Sequence, residues 1–423
     1  AYSCLSGTNP KAKLTKGGDS VSKSTTLKHT LRETDLLLYI TCILTSAFGA
    51  LMVYSATMNA AAKSGLTLSR DCLIMICASA LGIILCAFIS LVEYNAIISL
   101  WPIAGGVCLL LLLSLFIWGD APSDRPDAIC WLPIIKTETF TLKFQPSELA
   151  KIGFIITFTA HIDAVKDDIN RVKNVLLLTL HAFVPMGIIV VTGDPGSAII
   201  FGLMFVGMMF VAGVKLRYFA IAICAAVAAA PVIWVKFLSN LHRQRILAIY
   251  YPSALSESVY NKVIYQQQRC VNAIGSGKLL GDGLFKGTYT QSAAGVPVNE
   301  SDMVFSVVGE ELGFLGAIGL LAVFAFIIIR IVSVGRRSRN ISGSLLCYGT
   351  AFMIGSQVII NIGMCLMLLP CIGITLPFVS AGGSSNLCIY FAIGMVMSVY
   401  RFNCDRDPVN FRLTNINTPF AET

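Results

Sequence analysis

Three carboxylates lie where a long polar stretch meets an apolar one. Asp302 ends the polar stretch, and Glu310 and Glu311 lie inside the apolar run that follows it. Charged side chains at membrane depth are costly and by default mark a functional site. A carboxylate there can serve as a general base when burial and like charges raise its pKa. The alternatives are helix capping by Asp302 and buried structural pairing for the two glutamates.

A second group of polar residues opens an apolar run earlier in the chain. Pro146 suits the first position of a helix, and Glu148 and Lys151 are spaced to share one helix face. One interpretation is an outward ion pair that lines a polar cavity together with Gln145 and Ser147, with Lys151 available to a phosphate. The other is a charge pair at the membrane interface.

Two further segments have turn-forming sequences. Asp194 lies in a Gly-Asp-Pro-Gly-Ser turn, which is also an ordinary way to join two spans. The segment 369–385 holds two prolines and three glycines, and irregular backbone at membrane depth occurs where it lines a cavity or is buried in protein. Its hydroxyls and backbone N–H groups could hold an anion. The candidate residues of this segment are Pro377, Gly382, Gly383, Ser384 and Ser385.

The composition shows which elements must position these groups. Of the 423 residues, 56% are hydrophobic and 13% are charged, against about 25% charged in soluble proteins. Apolar stretches of roughly 20 residues recur, each long enough to cross a bilayer. We predict an all-α polytopic membrane protein with about ten transmembrane helices. They cover residues 35–57, 71–92, 96–118, 146–165, 174–193, 196–213, 217–237, 303–334, 344–369 and 385–402.

The basic residues predict the orientation. More than half of the 31 Lys and Arg residues fall on one side of the predicted membrane, including the run 336–339. Lys and Arg accumulate in cytoplasmic segments, so we expect both termini in the cytoplasm, and the net charge of +8 does not indicate nucleic-acid binding. We expect flexible tails at 1–32 and 404–423 around a membrane domain at 33–403. Extracytoplasmic loops are expected at 119–145, 371–384 and 238–302, the last a large one before the eighth span. Glycines should break or tilt that eighth span.

Several long runs make a family resemblance visible. They are FQPSELAK, AIGSGKLLGDGL, VVGEELGFLG, NIGMCLMLLP and GITLPFVSAGGSS. Across about residues 33–403 the chain resembles the SEDS family, the RodA, FtsW and SpoVE proteins of bacterial wall and spore-cortex synthesis. The resemblance implies a peptidoglycan glycosyltransferase that polymerises lipid II, an undecaprenyl-pyrophosphate-linked substrate, at the outer face of the bacterial cytoplasmic membrane. It also implies a class B penicillin-binding protein as partner.

The resemblance implies roles for individual residues. The family's essential aspartate falls on Asp302, although Ser301 replaces the usual Thr and Asn299-Glu300 replace a Glu-x-His neighbourhood. Ala381 stands where the family has Tyr. These departures make the chain a divergent member of the family.

The expected mechanism follows from that assignment. Asp302 would take the proton of the attacking sugar hydroxyl, and a single base opposite the leaving group inverts the anomeric centre, unlike the carboxylate pairs of glycosidases. Lys151, with Arg269 or Lys278, would neutralise the departing pyrophosphate, and Glu148 would orient Lys151. Asp194 could help to hold a divalent cation, Mg²⁺ or Mn²⁺, together with phosphate oxygens.

Two other functions use the same features. A lipid II flippase would need a polar cavity and ionisable groups, but the polar elements cluster on the outer side and no inverted repeat is visible. A non-catalytic scaffold for a penicillin-binding protein would make Asp302 and Lys151 dispensable. The sequence does not decide between elongation, division and sporulation.

Overall fold

The computed structural model describes residues 34–121, 128–136, 141–292 and 295–403. The predicted tails at 1–32 and 404–423 lie wholly outside the described residues. Each of the ten predicted spans contains a helix. In chain order the helices are α1 (Leu36–Lys63), α2 (Arg70–Ile89), the short α3 (Tyr94–Ser99), α4 (Trp101–Trp118), α5 (Pro146–Val165), α6 (Val172–Val191), α7 (Pro195–Val211), α8 (Leu216–Val232), α9 (Asn240–Tyr250), α10 (Glu257–Ser276), α11 (Val304–Arg336), α12 (Ile341–Cys365) and α13 (Gly383–Asn403).

Eight helical segments of the described residues are long and apolar enough to cross a membrane: α1, α2, α4, α6, α8 with the π-helical turn that extends it to Lys236, α11, α12 and α13. Of the other two predicted spans, α7 is shorter, with 17 residues, and α5 carries Glu148, Lys151 and Asp163. The chain is therefore an all-α, polytopic membrane protein.

The two long predicted loops have their own structure. In the described part of segment 119–145, β1 (Leu132–Lys136) and β2 (Thr141–Phe144) pair as antiparallel strands. Segment 238–302 contains α9 and α10. In α10 the buried residues Ile264, Gln267, Cys270 and Ala273 recur every third position, so one face of the helix packs on the membrane domain.

The helices differ sharply in how much protein surrounds them. In α12 and α13, 78% of an apolar stretch of 18 residues is buried inside the protein, whereas in the corresponding stretch of α8 none is buried. The two buried helices pack against each other, and α13 also lies along α2. The centre of the bundle is therefore α12 and α13, and α8 stands at its edge with apolar side chains exposed.

The helix α11 is broken at Gly313, as its glycines predict. Gly313 has φ 64° and ψ −162°, which no α-helix accommodates. The glycine-rich segment before α11 crosses the break. There the backbone N–H of Asp282 donates to the carbonyl of Glu310 at 2.9 Å, and the N–H of Phe314 donates to the carbonyl of Lys278 at 2.9 Å. Backbone groups released by the break thus regain partners, which a buried break requires.

Candidate functional site

A cavity of about 380 Å³ lies among the segments that precede α5, α7, α11 and α13. Its wall combines polar groups from six or more parts of the chain that are far apart in sequence. The lining residues that matter below are Asp71, Gln145, Asp194, Arg245, Glu300, Ser301, Asp302, Gly382, Ser384 and Ser385. The predicted base, the Asp194 turn and the serine-rich segment therefore meet in one place.

Asp302 lines this cavity and does not cap a helix. The N-cap of α11 is Met303, and it makes no side-chain capping bond. The Oγ of Ser301 donates to Asp302 Oδ1 at 3.3 Å, while the backbone carbonyl of Asp302 accepts from Asn361 Nδ2 at 2.8 Å. Asp302 is thus not the N-cap residue of α11, and it belongs to the wall of the cavity.

The irregular segment before α13 fixes the backbone of the Asp302 region. Ser380 Oγ donates to the carbonyl of Ser301 at 2.6 Å, and Ala381 N–H donates to the carbonyl of Glu300 at 2.8 Å. Ser380 is itself 1% exposed. The segment is buried in protein, as expected for irregular backbone in such a chain.

The residues of this segment divide into two groups. Gly382, Ser384 and Ser385 line the cavity, and Ser385 Oγ lies 3.2 Å from Thr375 Oγ1. Pro377 is buried, Gly383 begins α13, and neither is part of the wall. The hydroxyls are therefore placed to meet an anion in the cavity, whereas the proline and Gly383 shape the backbone.

Asp194 already has donors on both carboxylate oxygens. Its Oδ1 accepts from the backbone N–H of Ser197 at 3.0 Å, which caps α7. Its Oδ2 accepts from Gln145 Nε2 at 2.9 Å and from Ser147 Oγ at 3.0 Å. Asp194 thus joins the start of α5 to the start of α7. Within the described residues no three metal-ligating side chains converge.

Lys151 and Glu148 form a buried ion pair behind the cavity wall. Lys151 Nζ lies 2.8 Å from Glu148 Oε1, and the lysine side chain is 1% exposed. Pro146 occupies the first turn of α5, as predicted, but neither it nor the ion pair lines the cavity. The Lys151 ammonium thus faces Glu148 and not the cavity, and its expected contact with a phosphate stays a prediction.

The cation on the cavity wall is Arg245, which the sequence did not single out. Arg245 Nη1 donates to the carbonyl of Cys371 at 2.8 Å. The predicted alternatives lie elsewhere: Arg269 stacks over the ring of Tyr265 at 5.4 Å, and Lys278 is exposed. The available signal for Arg245 was its place in a polar, basic helix inside the long outer segment.

Glu310 and Glu311 are structural anchors. Glu310 Oε1 accepts from Tyr289 N–H at 2.6 Å, and its Oε2 accepts from Thr290 N–H at 2.8 Å. Glu311 accepts from the hydroxyl of Ser55, and also from the N–H of Phe285 at 3.1 Å. Both carboxylates are fully buried. Their partners are backbone and side-chain donors, which agrees with the alternative of buried structural pairing. Through these hydrogen bonds the two glutamates hold the outer segment against α11.

Negative charge dominates the described part of the cavity wall. Asp71, Asp194, Glu300 and Asp302 face it, whereas Arg245 is the one cation among the lining residues described. Burial raises the pKa of the Glu300 carboxyl, against a hydrogen bond from its own backbone N–H, and the charges of Asp71 and Asp302 raise it further. Glu300 therefore keeps its proton to higher pH than a solvated glutamate.

The sequence is similar to those of known proteins over most of its length. The family model for FtsW, RodA and SpoVE, described as cell cycle protein, matches residues 35–404. A probable peptidoglycan glycosyltransferase FtsW of Geobacter metallireducens is 31% identical over 383 residues, which cover 86% of this chain and 94% of that protein. Peptidoglycan glycosyltransferase MrdB of Escherichia coli is 28% identical, over 70% of this chain and 76% of that one.

Solved structures show the same fold. A chain of a peptidoglycan synthase complex superposes with a TM-score of 0.70 at 24% identity, covering 87% of this chain and 98% of that chain. The rod shape determining protein RodA of Thermus thermophilus gives a TM-score of 0.62, also at 24% identity, with 87% and 97% covered. The match of the family model over residues 35–404, together with the 31% identity to the Geobacter protein, shows that this chain belongs to the FtsW/RodA/SpoVE family.

Proposed function

We propose that this protein is a peptidoglycan glycosyltransferase that polymerises lipid II. The observation that carries the proposal is the placement of Asp302, whose backbone is held on both sides while its carboxylate faces a polar cavity. Both relatives reported above carry the name peptidoglycan glycosyltransferase, one of them as a probable one, which supports the same class of reaction.

In the proposed reaction Asp302 acts as the general base. It takes the proton of the acceptor sugar's 4-hydroxyl, whose oxygen attacks the anomeric carbon of the donor. The bond from that carbon to the pyrophosphate breaks, and the configuration inverts because attack is opposite the leaving group. Pyrophosphate leaves without a proton once its charge is neutralised, so one carboxylate base is sufficient.

Arg245 is the residue that we assign to the pyrophosphate. A guanidinium binds phosphate oxygens with fixed geometry, and Arg245 reaches the cavity from α9. Ser384 and Ser385 offer hydroxyls on the opposite segment. The Glu148–Lys151 pair then acts through the packing of the first turn of α5 and contacts no substrate. Because the described residues form no cluster of three metal ligands, a divalent cation that takes part would enter with the pyrophosphate.

The membrane setting follows from the same proposal. The distribution of Lys and Arg supports an orientation with the cavity on the extracytoplasmic side and both termini in the cytoplasm. An apolar cavity of about 350 Å³ between α4, α5 and α6 offers room for hydrocarbon within the bundle. The likeness to a chain of a peptidoglycan synthase complex supports a penicillin-binding protein as partner for cross-linking.

Polymerisation of purified lipid II by the solubilised protein, alone and with its cognate penicillin-binding protein, tests the proposal. Wild type should produce glycan ladders and Asp302→Asn should not. Asp163→Asn removes a carboxylate from an exposed ion pair at the far end of α5 and should behave as wild type. Ladders from Asp302→Asn would remove the base. Absence of ladders from every variant, with partner and divalent cation supplied, would favour a transporter or a scaffold.

A further inference from the structure

Glu300 lies two residues before Asp302 and lines the same cavity. Its backbone carbonyl accepts from Ala381 N–H at 2.8 Å, and the next carbonyl, that of Ser301, accepts from Ser380 Oγ at 2.6 Å. These two bonds hold the backbone on the serine-rich segment. The carboxyl group therefore remains at the cavity and cannot move away together with its backbone.

The groups around Glu300 come from several elements. Asp71 approaches from the first turn of α2, Asp194 from the N-cap of α7 and Arg245 from α9, while Asp302 follows in the same segment. Three uncharged donors hydrogen-bond to Asp194, which stabilises its carboxylate without cancelling its charge. Among the described lining residues the carboxyl groups outnumber the guanidinium of Arg245, in a partly desolvated space.

A pyrophosphate in this cavity makes the imbalance larger. Ionised carboxylates repel phosphate oxygens at short range, and the repulsion is strong where water is scarce. A protonated carboxyl group reverses the interaction, because it becomes a hydrogen-bond donor. Glu300 is the carboxyl group whose pKa burial and its neighbours raise, and an approaching pyrophosphate raises it again.

We infer that Glu300 works as a neutral carboxylic acid that donates a hydrogen bond to a pyrophosphate oxygen of the donor substrate, while Asp302 is ionised beside it. This inference rests on the proposed glycosyltransferase function and adds a second substrate-contacting residue. Glu300 keeps its proton throughout, so no group is transferred to or from it. The two carboxyl groups have different roles because their surroundings push their protonation states apart.

The pH dependence of kcat/KM tests the role of the proton. A raised pKa means that the acid form persists up to the folded-state pKa and is lost above it, so wild-type activity should fall on the alkaline side. Glu300→Gln offers an N–H donor at every pH. The kcat/KM of Glu300→Gln should lie within about threefold of the wild-type value at neutral pH. Above the pKa of Glu300, the ratio of the kcat/KM of the variant to that of wild type should grow by about tenfold per pH unit.

Two further variants make the test specific. Asp71→Asn removes a negative neighbour, lowers the pKa of Glu300 and should move the alkaline fall to lower pH. The double variant Asp71→Asn/Glu300→Gln should follow Glu300→Gln alone. Glu300→Ala lacks any donor and should lose about 100-fold in kcat/KM below the pKa of Glu300, as when one donor to a developing anion is removed, and its deficit relative to wild type should shrink above that pKa. Parallel pH profiles for wild type and Glu300→Gln would overturn the inference.

A measurement without turnover separates this inference from the proposed function. Infrared difference spectra of wild type minus Glu300→Gln should contain the carbonyl band of a protonated carboxyl at neutral pH, and the band should vanish at high pH. Its absence at neutral pH would contradict the inference even if polymerisation is confirmed. If Asp302→Asn still polymerises, the assignment of the base fails while the infrared result still decides the protonation of Glu300.

Discussion

The side-chain amide of Asn361 donates hydrogen bonds to two backbone carbonyls at once, that of Asp302 at 2.8 Å and that of Ile374 at 2.7 Å. Asn361 is fully buried in α12, the most enclosed part of the bundle together with α13. It thereby ties the segment that carries the proposed base to the irregular segment before α13. The position of Asp302 depends on this amide as well as on its own neighbours.

Replacement of Asn361 should damage activity without removing any group that contacts substrate. Asn361→Ala leaves two buried carbonyls without their donor, which costs about 1–3 kcal/mol for each unsatisfied group. A displacement of the base by about 1 Å can lower the rate roughly 100-fold. Lipid II polymerisation and thermal unfolding in detergent measure the two effects.

A matched control lies on the same helix. The Ser356 hydroxyl bonds only to the carbonyl of Phe352 in the preceding turn of α12, so Ser356→Ala should change both measurements little. If Asn361→Ala polymerised lipid II at the wild-type rate, the proposed positioning of Asp302 would be wrong.

Arg245 should matter more than the other basic residues of the outer segment. Arg245→Ala removes the cation that lines the cavity and should lower kcat/KM by about 10–100-fold, the range of 1.4–2.7 kcal/mol typical of a charged hydrogen bond. Lys278→Ala removes an exposed side chain outside the wall and should stay within about twofold of wild type. Steady-state kinetics at fixed ionic strength compare the two. A larger loss from Lys278→Ala would show that the pyrophosphate lies elsewhere.

The break in α11 predicts opposite outcomes for two glycines. Gly313 has a positive φ, and a Cβ there would collide with the backbone N of Gly281, so Gly313→Ala should destabilise the protein by at least about 1–3 kcal/mol. Gly319 lies within the helix with no atom near its missing Cβ. Gly319→Ala should be neutral or stabilise by up to about 1 kcal/mol, because alanine favours helix more than glycine does. The midpoint of thermal unfolding should therefore fall for Gly313→Ala and should stay the same or rise for Gly319→Ala. A fall of the same size in both variants, or in neither, would contradict the assigned break.

The sequence alone was enough to predict elements whose cause is local. Continuous apolar stretches predict where helices form in the membrane domain, because about 20 apolar residues can cross a bilayer whatever they pack against. The glycines inside one long apolar run indicated a break or a tilt in α11, and the structure places the break at Gly313. The motif around Asp302 located the proposed base, and the proline and glycine content of 369–385 predicted irregular backbone.

Only the tertiary structure decided which polar groups share a wall. Three basic residues have the right charge for a phosphate but do not line the cavity: Lys151, Arg269 and Lys278. Lys151 is buried in an ion pair with Glu148, and Arg269 stacks on Tyr265. Arg245 reaches the cavity from α9 instead. Likewise, the double hydrogen bond of Asn361 joins segments that no local pattern links. Apolar character and backbone preference are properties of neighbouring residues, whereas the partner of a buried polar group is set by long-range packing that brings distant segments within hydrogen-bond reach.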